Sequence, residues 1–161
     1  MKSLVSKTLE VALNELGKGE FGGNNWGPDV FKYRKHDGTG KPVRIRGNWC
    51  ASFISYCFRV AANATGTKLP FKTSRGAKRL GKNLKKAGWV KVDKPEPGAI
   101  IIWDRGVLKW QGHIGICTDY VEEHSVLVWV DGNGRGRPSK VALRASKKWQ
   151  RKLHEILVWR G

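Results

Sequence analysis

Acid is scarce in this sequence. Thirteen Asp and Glu face 31 Lys and Arg, which leaves a formal net charge of +18 on 161 residues. An imbalance this one-sided excludes a neutral, merely solvated surface and gives a positive field that draws polyanions. Nucleic acid, anionic lipid, lipopolysaccharide and teichoic acid all qualify, and charge alone does not choose among them. Cysteine is also scarce, with three residues, an odd number. Cys50 and Cys57 lie two helical turns apart, ~10 Å at the usual rise per residue, which is too far to bridge. Cys117 lies within an apolar strand and reads as a small core residue, so no disulfide framework and a reducing origin are expected. No apolar run approaches the ~20 residues of a membrane span. The start, Met1-Lys2-Ser3-Leu4-Val5-Ser6-Lys7, lacks the apolar core of a signal peptide. Export is then expected to need a partner such as a pore, an injection device or lysis. Repeats and low-complexity tracts are absent. Gly132-Asn133-Gly134-Arg135-Gly136 follows a strand pattern without opening a helix, which excludes a dinucleotide or phosphate loop. His124 and His154 lack partners at zinc-ligand spacing.

What remains is a 40% hydrophobic, 27% charged chain of ordinary domain size, expected to form one domain over residues 1–161. Its centre is Gly47-Asn48-Trp49-Cys50-Ala51-Ser52-Phe53-Ile54-Ser55-Tyr56-Cys57-Phe58. Cys50, Phe53, Ile54, Cys57 and Ala61 recur at helical spacing, so Cys50 falls at the N-terminal end of a buried helix. The free N–H groups and positive dipole end there favour an anion, and a thiolate is one. A small apolar core residue would also suit Cys50. The balance is tipped by Gln111-Gly112-His113-Ile114-Gly115-Ile116-Cys117, a buried strand opened by a histidine whose flanking glycines leave its ring uncrowded. Val126-Leu127-Val128-Trp129-Val130-Asp131 is a further strand running into the glycine-rich turn. Asp131 and Asn133 share a face for as long as that strand persists. A thiol at a helix start, an imidazole on a strand and a carboxylate or amide on the next are the parts of a cysteine-hydrolase triad.

Around these parts, helices are predicted over 3–16, with an apolar stripe of Leu4, Val5, Leu9, Ala12, Leu13 and Leu16, over 50–63, and over 75–87 with Thr73 or Ser74 as cap. Residues 17–48 read as a long loop that packs through Phe21, Trp26, Phe31 and Tyr33, with one helical turn near residues 29–33. Glu20 suits a loop-holding role, and His36 an exposed turn. The helix over 75–87 carries Arg75, Lys78, Arg79, Lys82, Lys85 and Lys86 around a thin Leu80/Leu84 side, a candidate polyanion-binding face. Strands are predicted over 89–92, 99–104, 113–119, 125–131, 140–143 and 154–159. The loop 104–111 is basic and aromatic, and with Trp103 and Trp110 could line a substrate groove. Helices followed by strands read as α+β.

Trp49-Cys50-Ala51, Pro97-Gly98-Ala99-Ile100-Ile101, Gly112-His113-Ile114-Gly115 and Asp131-Gly132-Asn133 occur in an order that resembles the cysteine- and histidine-dependent amidohydrolase/peptidase (CHAP) family, closest to its small phage and bacterial members. The resemblance implies a papain-like fold, with N-terminal helices packed on a C-terminal antiparallel sheet or half-barrel. It also implies hydrolysis of an amide bond in peptidoglycan, as a muramoyl-L-alanine amidase or a stem or cross-link endopeptidase, in the manner of a phage endolysin. Cys50 would be the nucleophile and His113 the base and then the acid. Asp131 would orient His113 directly, with Asn133 as a secondary hydrogen-bonding group. Two features depart from the family pattern. Its glutamine oxyanion donor is replaced by Trp49, leaving the Cys50 N–H and Asn48. The approach Arg44-Ile45-Arg46-Gly47-Asn48 has no carboxylate, so no calcium, and no metal or cofactor, is expected. The expected partners are peptidoglycan and an anionic envelope, with no specific nucleic acid, and the expected state is a monomer made in the cytoplasm and acting at the wall after release or delivery. The alternatives are a basic nucleic-acid-binding module without activity, or a delivered antibacterial toxin of the same fold.

Overall fold

The computed structural model describes residues 2–35, 47–134 and 136–161. His36 and the Arg44–Arg46 approach lie outside the described residues. Among the described residues four helices precede the sheet: α1 (Lys2–Asn14), α2 (Pro28–Arg34), α3 (Cys50–Thr65) and α4 (Ala77–Lys86). Six strands follow: β1 (Trp89–Val92), β2 (Ile100–Asp104), β3 (Gly112–Val121), β4 (Val126–Asp131), β5 (Ala142–Ser146) and β6 (Leu153–Trp159). They form one antiparallel sheet in the order β1-β6-β2-β3-β4-β5. This is the α+β, papain-like arrangement expected.

The sheet is apolar on both faces. Ile100, Ile102, Ile114, Ile116, Val130 and Leu157 join the core built on the helices. Alternate residues Ile101, Trp103, Cys117, Leu127 and Ile156 gather in a second cluster with Trp149. The period-two alternation of a strand produces this division. Helix α3 is the hub of the first core. Phe53, Ile54, Cys57, Phe58 and Ala61 are fully buried along it, and Phe58 meets Phe71 and Trp89 edge-on. The helix ends where Gly66 takes a left-handed φ of 63° and Thr67 N–H returns to Ala62 O at 2.9 Å.

Three local expectations are corrected. The buried face of α1 runs over Leu4, Thr8, Val11 and Ala12, while Leu13 and Leu16 are exposed. Thr8 can sit inside because its hydroxyl donates to Leu4 O at 2.7 Å. Glu15, just past the helix, is buried because Lys18, Lys32 and the Tyr33 hydroxyl all bond its carboxylate. The cap of α4 is Gly76, with no side-chain cap bond; Ser74 Oγ accepts the Gly76 N–H at 3.1 Å instead. The strand predicted over 140–143 is displaced to 142–146, because Lys140 is engaged by Gly19 in an isolated bridge.

Candidate active site

Cys50 is the first residue of α3, and Trp49 is its cap. Trp49 is fully buried, stacks on Tyr33 and donates Nε1 to Glu20 Oε1 at 3.3 Å. Its ring packs where any side chain on Gly132 would stand, so that glycine brings the turn after β4 against the start of α3. Glu20 also accepts the N–H groups of Asn25 and Ser139. It has the loop-holding role expected and does not reach the thiol chemistry. The helix start is thereby clamped between the N-terminal loop and the β4 turn. Trp49 is committed to the core and offers no donor to a substrate.

His113 lies at the open end of β3. Its Nε2 meets Asp131 Oδ2 at 2.8 Å, which leaves its other nitrogen, Nδ1, for the Cys50 thiol, on which the imidazole acts. Asp131 closes β4 and is 1% exposed. Its carboxylate takes three donors: His113, Trp129 Nε1 at 2.7 Å on the same oxygen, and Arg144 Nε at 2.7 Å on Oδ1. Trp129 and Arg144 face each other across the β4–β5 pairing, which is how both reach one carboxylate. Gly115 makes this possible. It lies across from Asp131, and a side chain on it would stand 2.7 Å from the Trp129 ring. That glycine clears space for Trp129 and not for the histidine ring, as the sequence suggested.

The electrostatics follow from these partners. Burial pushes the Cys50 thiol up, but the hydrogen bond and charge of His113, with Arg105 behind them, outweigh it and lower its pKa. Burial pulls His113 down, yet Asp131 and Cys50 together raise it to about 9. Burial opposes ionisation of Asp131 as well, and His113 and Arg144 reverse that and hold it below the ordinary carboxylate range. These shifts all favour thiolate, imidazolium and carboxylate in a row. Such a row can attack an electrophilic carbonyl and deliver a proton to what leaves.

Asn133 is placed differently from its strand-face expectation. Strand β4 ends at Asp131, and Asn133 takes a left-handed φ of 59° in the turn, a conformation Asn tolerates. Its amide donates to Asn48 Oδ1 at 3.0 Å and does not touch His113. Trp103 is both core and site. It is 8% exposed, bonds Trp149 O at 2.7 Å, and lies 5.9 Å from the His113 ring. Trp110, with Val107 and Leu108, is exposed on the loop between β2 and β3. On α4, Lys78 is tied to Asp104 and to Lys109 O, each at 2.6 Å, and Lys85 to Glu155 at 2.6 Å. The outward charges of that helix are Arg79, Lys82 and Lys86, with Arg75 just before it. Three residues escaped the reading of the sequence: Arg105, Trp129 and Arg144. Only Arg105 carried a signal, as a basic residue in a loop close before His113.

The CHAP domain model matches residues 42–133, a stretch that contains Cys50, His113, Asp131 and Asn133. Two crystal structures of Ly7917 share the fold. One is 16% identical with a TM-score of 0.55, over 96% of this chain and 62% of that one. The other, of Ly7917 with the hydrolyzing product of MDP, is 14% identical with a TM-score of 0.55, over 98% and 63%. The chain therefore spans less than two thirds of Ly7917. No curated protein matches it at a significant level.

Proposed function

The chain belongs to the CHAP domain family, and from that premise we propose that it hydrolyses amide bonds of peptidoglycan by a thiol mechanism, as a lytic enzyme of the endolysin kind. The observation that carries this reading is the 2.8 Å His113–Asp131 bond beside Cys50, whose thiol pKa the imidazole lowers. The fold shared with Ly7917, crystallised with the hydrolyzing product of MDP, supports a peptidoglycan fragment as substrate. A nucleic-acid-binding module would have no use for a buried thiol, imidazole and carboxylate in line.

The Cys50 thiolate attacks the scissile carbonyl carbon, and the electron pair of the carbonyl moves to oxygen. The Cys50 N–H, at the helix start, faces the developing charge. Asn48 is the side chain able to add to it, since Asn133 engages only its Oδ1. The tetrahedral adduct collapses, the C–N bond breaks, and His113 gives its proton to the departing amine. A thioester remains. Water then attacks it, His113 takes a proton from that water, the C–S bond breaks, and the acid leaves with Cys50 again a thiolate. Asp131 holds the ring in one tautomer throughout and stabilises its charged form. Arg144 and Trp129 hold Asp131.

The basic surface would bring this monomeric enzyme to an anionic envelope once it is released or delivered to the wall. The reading is tested on purified sacculi, with the released fragments identified by mass spectrometry. Soluble muropeptides with a new amine and a new carboxyl are expected. Intact sacculi after prolonged incubation with reduced protein would reject it.

A further inference from the structure

Arg105 follows β2 in the loop that leads to His113. Its Nη1 lies 3.5 Å from His113 Nδ1 and 3.5 Å from Asn133 O. Among the described residues no carboxylate pairs with it. The side chain is half-buried, and its charge acts on the Cys50 thiol. A guanidinium partly withdrawn from water is poorly satisfied by one distant carbonyl beside a charged imidazole, which offers it no acceptor. Its planar fork suits a carboxylate. On its other side the loop borders a hollow of about 440 Å³, whose lining includes Lys78, Lys109 and His154 with Asp104 as its single acid. The hollow is roomy and net positive.

The position of Arg105 says which part of a substrate it would meet. Asp131 occupies Nε2, so Nδ1 is the nitrogen that gives its proton to the departing amine. A group in contact with Nδ1 therefore stands on the leaving side of the scissile bond. In an α-amino acid the carboxylate carbon is two bonds from the amine nitrogen. An amine seated at Nδ1 thus places its own α-carboxylate within reach of the guanidinium. We infer that Arg105 selects amide bonds whose leaving residue carries a free α-carboxylate. This rests on the hydrolase reading above and narrows it. In peptidoglycan a γ-linked D-glutamate keeps its α-carboxylate free, and a diamino dicarboxylic acid bonded through its cross-linking amine carries one beside that amine, whereas lysine does not. The alanine released from a muramoyl amide has its carboxyl in the next peptide bond. Arg105 therefore favours an endopeptidase over an amidase.

The test uses two synthetic acyl-L-alanyl peptides that differ only in the leaving residue, γ-linked D-glutamate or its α-amide, D-isoglutamine. The wild-type enzyme is expected to prefer the free acid by roughly tenfold in kcat/KM, the size of a partly exposed charge-assisted hydrogen bond. Arg105→Gln should bring that ratio close to one, and Arg105→Lys should keep part of it. Equal wild-type rates on the two peptides, or an Arg105→Gln variant slowed by the same factor on both, would overturn the inference. A second measurement does not depend on hydrolysis: alkylation of Cys50 by iodoacetate and by iodoacetamide, followed on the Cys50 peptide by mass. The iodoacetate/iodoacetamide ratio should fall several-fold in Arg105→Gln. An unchanged ratio defeats the anion site whatever the enzyme cleaves. A changed ratio in a protein that leaves sacculi intact retains the anion site and defeats only the hydrolase reading.

Discussion

Cys50 and Cys57 lie two turns apart on α3, both buried to within 2% of full coverage, and their chemistry runs in opposite directions. Burial raises both thiols. At Cys57 burial wins: Glu15 adds to the rise, a backbone hydrogen bond and Lys32 oppose it too weakly, and the pKa stands well above that of a free thiol. At Cys50 His113, Arg105 and the Ile114 backbone reverse it. Cys117, on the far face of the sheet, follows Cys57, pushed up to about 12 by burial and Asp119. Burial alone makes a cysteine inert. A nucleophile needs partners that outweigh burial, and those partners come from β3 and the loop before it, far away in sequence.

The largest expected effect breaks this comparison at its centre. Cys50→Ser should lower lysis of sacculi by about a thousandfold or more, as loss of a nucleophile does. Cys57→Ala should leave lysis near wild type and cost about 1–2 kcal/mol of stability, read by denaturant unfolding, because it empties a small volume of the core. Alkylation at neutral pH should label Cys50 ahead of the other two. Labelling of Cys57 first, in folded protein, would contradict the contrast.

The next effect sharpens the comparison by removing what separates the two thiols. Asp131→Ala should reduce turnover by roughly 10²–10⁴-fold, since His113 loses both its orientation and its compensating charge. Asn133→Ala should cost less than about tenfold, because Asn133 acts through Asn48 and the turn. The pH profile carries the sign. The thiolate–imidazolium pair exists above the lowered pKa of Cys50 and below that of His113, so the alkaline limb should fall through about 9. Asp131 raises His113, so Asp131→Asn should move that limb to lower pH. A limb that stays in place would show that Asp131 does not set the histidine charge.

How much of this was legible in the sequence depends on the range of the cause. The Cys50 face of α3 was readable because helical spacing is local. His113 at a strand start and Asp131 at a strand end were readable from alternation and the glycines that follow. The place of Asn133 was not, because strand pairing stops at Asp131 and the left-handed turn carries the next residues elsewhere. The buried face of α1 was misread for a related reason. Thr8 finds its partner one turn back, but Glu15 finds Lys32 and Tyr33 on α2, and a hydrophobic stripe cannot register such pairs. Trp129 and Arg144 converge on Asp131 only through the β4–β5 register, which composition does not encode. Arg105 required knowing which nitrogen of His113 is already taken.

The smallest expected effect concerns the basic surface, where the same question of partners applies to charges. Lys78 and Lys85 are committed to Asp104 and Glu155, so reversing them would disturb α4 and the β2 end together. Arg75, Arg79, Lys82 and Lys86 face outward and are the residues to change. Attraction to an anionic envelope acts during encounter and is screened over ~8–10 Å at ordinary ionic strength. Reversing these four to Glu should weaken binding to whole envelopes several-fold at low salt and flatten its salt dependence. Turnover of a small soluble muropeptide should change little, because none of the four contacts the Cys50–His113–Asp131 row. If the soluble substrate slows as much as the envelope does, α4 contributes to the site itself, and the division between a reactive row and an attracting surface fails.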